Sequence, residues 1–408
     1  MKIALTHCRL IDGLGGAPLS DATVVIDGNR FAAVGSGATV PIPPDAQVLD
    51  VAGRTVLPGL IDLHLHLTWY YYRPDVVVGG MLTYTDPRVA LVGAWHMGQL
   101  LDAGITTVRD AGSRGHIVFD LQWAQSEGLI RGPRILTSGR LIAPTGGHGS
   151  ENLGLGLEFD GVAGARHAVR EEIKAGADFI KLAALQDEWT IEELHAAVDQ
   201  AHRMGRKVAI HVNYPPSITN ALDAGVDSIE HGCLVTETEL EQMLAQGTFW
   251  VVTALIYKKQ FESFKAQAAD PNTPAQLAAR ARDQVRRHEW IWDNMPQALL
   301  RAAEMGVKIG VGTDQLYADI GIAALALDMA LLVEIGLPPM LVLQGATSTA
   351  AECMGREGDL GTVEAGKLAD LVVVDGDPLS DMAAMQQVKL VITEGRVAKN
   401  QVGHFSRP

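Results

Sequence analysis

Cysteine is scarce in this chain: Cys8, Cys233 and Cys353 are the only three among 408 residues. So few, scattered and odd a set implies no disulfide framework and points to a reducing cytoplasm. Long hydrophobic runs are missing too, and none approaches the roughly 18 residues that would mark a membrane span. The opening Met1-Lys2-Ile3-Ala4-Leu5-Thr6-His7 lacks the apolar core and cleavage site of a secretory leader, which fits the same compartment. Basic charge is short, with 33 Lys and Arg against 48 Asp and Glu and a net charge of −15. That balance leaves no general positive field for nucleic acid, and an anionic small molecule would need a local cluster of cations. There are no low-complexity tracts and no fixed-period repeats.

What remains is a chain with 47% hydrophobic and 20% charged residues, the composition of a folded globular protein. Its length can bury a large core, in more than one domain or in one barrel with an appendage. The first part reads as short β-prone runs broken by turns, such as Ala22-Thr-Val-Val-Ile-Asp-Gly28 and Phe31-Ala-Ala-Val-Gly35, before the Pro-rich Pro41-Ile-Pro-Pro44. The last part is similar, with Leu371-Val-Val-Val-Asp-Gly-Asp-Pro378 and then Val388-Lys-Leu-Val-Ile-Thr-Glu-Gly-Arg-Val397. Two β-rich ends around a different middle predict one composite domain built from both termini, 1–58 with 359–408.

The middle, 59–358, alternates apolar strands with helical stretches such as Thr190–Met204 and Thr236–Gln246. Eight candidate strands are legible: Gly59–Leu67, Ile105–Ala111, Ile135–Gly139, Phe179–Leu185, Val208–Asn213, Ser228–Gly232, Phe249–Leu255 and Lys308–Asp314. Eight βα units over this length predict a (β/α)₈ barrel of the TIM type. A doubly wound sheet would usually carry a Gly-rich phosphate turn after its first strand, where this chain has His64-Leu-His66. The predicted architecture is therefore an α/β barrel with a small composite β-sandwich. Two insertions, 68–88 with Trp69-Tyr-Tyr-Tyr72 and 257–301 read as one or two long helices, follow strands one and seven and belong on the catalytic face.

Histidines two apart on a strand project to the same face, so His64 and His66 can grip one ion together. Barrel active sites lie at the C-terminal ends of the strands. There, strand four supplies Lys181, strand five His211, strand six His231 and strand eight Asp314. Singly each has an ordinary explanation: Asp314 as a helix cap, His211 and His231 as hydrogen-bonded core residues. Lysine, however, is rarely buried in an apolar strand without a partner. Six such side chains aimed at one point make a metal centre the better reading, and nitrogen with carboxylate oxygen suits Zn²⁺ or a neighbouring divalent ion. A protonated lysine repels cations, whereas one carboxylated by CO₂ would bridge two of them.

These pieces resemble the amidohydrolase superfamily over nearly the whole chain: Leu57-Pro-Gly-Leu-Ile-Asp-Leu-His-Leu-His66, Phe179-Ile-Lys181, Ile229-Glu-His-Gly232, Gly312-Thr-Asp314 and Gly361-Thr-Val-Glu-Ala-Gly-Lys-Leu-Ala-Asp-Leu371. Within it, Thr106-Thr-Val-Arg-Asp-Ala-Gly112, Thr145-Gly-Gly-His-Gly149 and Asp227-Ser-Ile-Glu-His-Gly232 are similar to the imidazolonepropionase-like and prolidase-like (Xaa-Pro dipeptidase-like) branch. The resemblance implies two divalent metal ions, Zn²⁺ or alternatively Mn²⁺ or Co²⁺. His64, His66 and Asp314 would hold one, His211 and His231 the other, and carboxylated Lys181 would bridge them. It also implies a homo-oligomer and a small-molecule substrate.

A metal-bridging hydroxide would then cleave an amide, in a peptide-like, N-acyl amino acid or related carboxamide substrate, with Asp314 moving the proton. Family resemblance places His148 beside the substrate as a further catalytic or binding group. Tyr70, Tyr72 and Tyr257 could line an apolar pocket or simply pack under the insertions. Lys258, Lys259 and Arg140 are candidates to pair a substrate carboxylate, and Arg109 and Asp110 could form a salt-bridged rim or touch substrate. Leu234 stands where dipeptide-cleaving relatives often carry a tyrosine, and the loop after Lys181 is short. Both departures permit another amide, an ester, a carbamate or a toxin amide. A hydrolase or deaminase of a small heterocycle is the rival enzyme, against which Lys181 argues. A scaffold without catalysis would have lost ligands, and here all six positions are filled.

Overall fold

The computed structural model describes residues 2–69, 84–149, 156–185, 188–314 and 324–406. All eight predicted barrel strands are present: Leu60–Leu65, Ile105–Asp110, Arg134–Thr137, Ile180–Ala183, Val208–Val212, Ser228–His231, Phe249–Val252 and Ile309–Val311. Strands one to three pair in parallel in sequence order, and so do strands four to eight. The ring closes where the Thr313 and Asp314 N–H groups donate to the His64 carbonyl at 3.0 and 2.7 Å. Gly312 permits that approach, since a Cβ there would lie 2.6 Å from His64 Cβ.

Two short strands were not anticipated. Leu141–Pro144 pairs in parallel with Gly156–Phe159 and, through Ile142 and Leu182, with the fourth barrel strand. One predicted helix starts at a clear capping signal. Thr190 accepts from the Glu193 N–H at 3.3 Å while Glu193 accepts from the Thr190 N–H at 2.9 Å, a capping box that starts helix Ile191–Arg203. The insertion after strand seven forms two helices, Ala254–Ala269 and Ala275–Met305. No helix among the described residues is long and apolar enough to cross a membrane.

The termini build the expected composite β-domain as one hydrogen-bonded sheet of eight strands. Lys2–Leu10 pairs with Leu19–Asp27 on one side and with Gln47–Asp50 and Thr55–Pro58 on the other. The C-terminal Leu371–Val374 then runs antiparallel to Thr55–Pro58, with Val373 opposite Val56. Ile3, Leu5, Val24, Ile26, Phe31, Val373, Leu390 and Ile392 give this domain a core separate from that of the barrel. Arg134 fastens the two together, pairing with Asp370 at 2.8 Å and Glu394 at 2.7 Å.

Candidate metal centre

The six strand-end residues predicted as ligands converge. Ligand atoms of His64, His231 and Asp314 lie within 4.8 Å of one another. His66 Nε2 is 3.2 Å from Asp314 Oδ1, and His64 Nε2 is 3.8 Å from the same oxygen. The rings of His211 and His231 have centroids 4.3 Å apart, and the Lys181 amine is near enough to bear on His64, His211 and His231 electrostatically. Two of the six have unusual backbones: His231 has φ 69° and Asp314 φ 44°. Left-handed conformations cost an L-residue energy and persist where the surroundings impose them, often at functional sites. At His231 the turn also breaks strand alternation, so His231 and its neighbour Glu230 both reach the site around His64.

The back of each strand-one imidazole is fixed. His64 donates Nδ1–H to Glu230 Oε2 at 2.7 Å, and His66 donates Nδ1–H to the Gly112 carbonyl at 2.8 Å. A neutral imidazole has one N–H and one lone pair, so both present a bare Nε2. His231 Nδ1 meets Thr253 Oγ1 at 2.7 Å, and His211 Nε2 lies 3.3 Å from Asn213 Nδ2. Burial, followed by neighbouring positive groups, pushes His64 and His211 well below the ordinary histidine range, and burial takes His231 to about 4. These rings are neutral donors at physiological pH. Burial opposes ionisation of Asp314, yet its contacts with the surrounding imidazoles, His66 first, outweigh it and hold the carboxyl well below its usual value.

Among the six proposed ligands, two buried atoms have no hydrogen-bond partner from the described residues: Lys181 Nζ and His231 Nε2. Leaving such groups unsatisfied costs about 1–3 kcal/mol each, more if charged, unless a ligand takes them up. Lys181 is only 2% exposed, and burial brings its amine down to about 8. The donor set of imidazoles and one carboxylate, with aligned lone pairs and orphaned polar atoms, fits divalent cations.

The residue behind this set that sequence reading missed is Glu230, fully buried. Its Oε1 accepts from Arg109 Nη2 and from the Ser228 hydroxyl, both at 2.6 Å, while Oε2 holds His64. Arg109 also donates Nε–H to the Leu63 carbonyl at 2.6 Å, so it is a buried brace and not a rim residue. Asp110 is likewise interior, accepting from the Leu67 N–H at 2.8 Å. The available signal was a charged residue directly before His231 in an otherwise apolar strand, with Ser228 two residues earlier.

Other expectations sort as follows. His148 is at the site, its ring 4.2 Å from that of His211. Trp69 stacks on His66 at 3.9 Å, while Tyr70 and Tyr72 lie outside the described residues. Tyr257 is buried with its ring 5.9 Å from His231, but its hydroxyl is engaged by Asn213 Oδ1 at 3.1 Å. The candidate cations are already neutralised: Arg140 by Glu171 and Glu172, Lys258 by Glu334, Lys259 by Glu262. Arg287, not singled out beforehand, is half-buried with its guanidinium 4.9 Å above the Tyr214 ring beside strand five, and it has no ion pair with a described carboxylate.

Comparison with known proteins accords with this geometry. The amidohydrolase family model matches residues 55–398. Ochratoxinase of Aspergillus niger is 28% identical over 427 residues, covering 96% of this chain and 85% of that protein. A solved Xaa-Pro dipeptidase with methionine bound in its active site superposes with TM-score 0.85 at 28% identity, over 97% of this chain and 99% of that one. A prolidase complexed with N-methylphosphonate-L-proline gives 0.82 at 30% identity, over 98% of this chain and all of the other. The chain belongs to the amidohydrolase family, beside its prolidase-like members.

Proposed function

We propose that this hydrolase is a binuclear metal-dependent amidase that cleaves the amide of a small carboxylate-bearing molecule such as an N-acyl amino acid. The observation that carries the reading is Lys181, a lysine buried on strand four with a partnerless Nζ beside four histidines and Asp314. A lowered amine pKa favours the neutral form, which is the form that adds to CO₂. The Lys181 nitrogen then forms a bond to the carbon of CO₂ and releases a proton, converting a repelled cation into an anionic oxygen donor. In this reading His64, His66 and Asp314 would hold one ion, His211 and His231 the second, and the Lys181 carbamate would serve both. Zn²⁺ is the best match to the donors, with Mn²⁺ and Co²⁺ as alternatives. Such a pair supplies Lewis acidity toward the carbonyl and a nucleophile from water near neutral pH.

The rest is done by side chains. Glu230 and Gly112 orient His64 and His66. Asp314, kept ionised, accepts a proton on its carboxylate and returns it to the leaving nitrogen, which as an anion would leave badly. A positioned proton carrier of this kind is worth about 10²–10⁴ in rate. His148, against His211, is placed to touch the substrate. A dipeptidase cleaves a peptide bond, and the structural likeness to one supports carrying amide hydrolysis over to this chain. Arg287 supports the carboxylate, being the cation at the strand-five side of the mouth that no described acid neutralises.

The test is metal analysis of the purified protein with a panel of N-acyl amino acids and dipeptides. We expect two ions per chain and turnover that chelation abolishes. Lys181→Ala should lose at least one ion and turnover by more than about 100-fold, the scale of a lost catalytic group. An unchanged ion count and rate in that variant would remove the binuclear reading.

A further inference from the structure

His211 differs from the strand-one histidines in how its back is held. Carbonyl and carboxylate oxygens fix His66 and His64, and such oxygens accept hydrogen bonds, so those rings must carry the proton at Nδ1. Behind His211 stands Asn213, two residues along the same strand end, whose amide reaches Nε2 at 3.3 Å and, at its other end, the Tyr257 hydroxyl at 3.1 Å. The Tyr257 hydroxyl also lies close enough to the buried Cys233 side chain, two residues past His231, to interact with it electrostatically. All of these groups except the His211 ring are buried, and water is not at hand to correct a mismatch.

A side-chain amide is nearly symmetric in shape, so its partners decide which end faces which. With the amide nitrogen toward His211, Nε2 must be the acceptor and the ring proton sits on Nδ1. Both nitrogens are then used, and the ring has no lone pair for an ion. With the amide oxygen toward His211, the ring donates Nε2–H, Asn213 donates Nδ2–H to the Tyr257 oxygen, and Tyr257 can turn its O–H toward Cys233 Sγ. Each donor then has one acceptor, and His211 keeps a lone pair on Nδ1.

We propose that Asn213, Tyr257 and Cys233 form a buried relay that fixes His211 as its Nε2–H tautomer and so makes it a ligand. This rests on the metal-centre reading above and adds three positioning residues to it. The relay comes partly from the helix after strand seven, which also carries Thr253 at its start, the partner of His231. The junction at 253–257 therefore orients both histidines of the second ion position. It is itself pinned by buried Asp328, which accepts from the Leu255 N–H at 2.8 Å.

The experiment counts ions per chain and measures chelator competition on full-length protein loaded with Zn²⁺, with thermal unfolding of each variant as a check on folding. Asn213→Leu should weaken one ion by about 10–100-fold, the usual effect of losing a residue that orients a metal-binding histidine, and leave the other unchanged. Asn213→Asp should restore binding, because a carboxylate can only accept. Tyr257→Phe should fall between them, and it carries the test if Asn213→Leu does not fold. Wild-type affinity in both Asn213→Leu and Tyr257→Phe overturns the relay, as does an Asn213→Asp variant as weak as Asn213→Leu. His211→Ala separates the two claims: if it loses an ion while the Asn213 and Tyr257 variants do not, the relay fails and the metal centre stands. If His211→Ala keeps both ions, both fall.

Discussion

Single residues in this molecule act through what stands behind them. Lys181 and Asp314 are legible in the sequence because their types are out of place in apolar strand ends. Glu230 and Asn213 were not picked out: a charged residue beside His231 was the one linear signal for the first, and nothing in the pattern says which imidazole either side chain will hold. Arg287 was invisible for a related reason: its place over the Tyr214 ring depends on how a helix of 31 residues lies on the barrel. It also yields a prediction at this scale. Arg287→Met should raise KM for an N-acyl amino acid by about 10-fold or more, the equivalent of at least 1.4 kcal/mol of binding, with little change in kcat. The corresponding carboxamide, lacking the charge, should be unaffected. Equal losses on acid and carboxamide would show that Arg287 acts on structure and not on the carboxylate.

Among the elements, the eight strands were readable because each is a short apolar run ending in polar residues, and parallel strands covered on both sides have that pattern. Leu141–Pro144 and Gly156–Phe159 were missed because four-residue strands of mixed character owe their conformation to the neighbours they pair with, not to their own propensity. The helices show the other side of the same balance. In helix Asp86–Asp102, His96 is buried, and burial lowers its pKa to about 3. The unfolded chain titrates near 6.5, so between these values it binds the proton that the folded chain refuses. Stability from this residue is complete above pH 6.5 and is lost as pH falls, by up to about 1.4 kcal/mol per pH unit. The difference in unfolding free energy between pH 7 and pH 5, measured in urea, should shrink by about 2 kcal/mol in His96→Leu. An unchanged difference would mean that His96 is protonated in the fold.

The whole molecule is held by two cores and, in the proposed reading, by ions at the barrel mouth. Binding to the folded state alone stabilises it by RT ln(1 + [L]/Kd), about 4 kcal/mol at a thousandfold excess over Kd. Stripping metal with a chelator should therefore lower the midpoint of barrel unfolding by several degrees and leave the secondary structure content intact at 25 °C. Restoring Zn²⁺ should return it. A midpoint indifferent to both treatments would argue that the six side chains hold no ion.

The pairing of Val56 with Val373 has a consequence for how the chain is made. Synthesis delivers the first strands long before their neighbours exist, and more than 300 residues of barrel must emerge between one half of that sheet and the other. Until then the edge at Thr55–Pro58 waits with open hydrogen-bonding groups, exposed to any passing strand. A chain that stops before Leu371 leaves that flank of the sheet unsealed, so the edge closes only once Leu371–Val374 has been made.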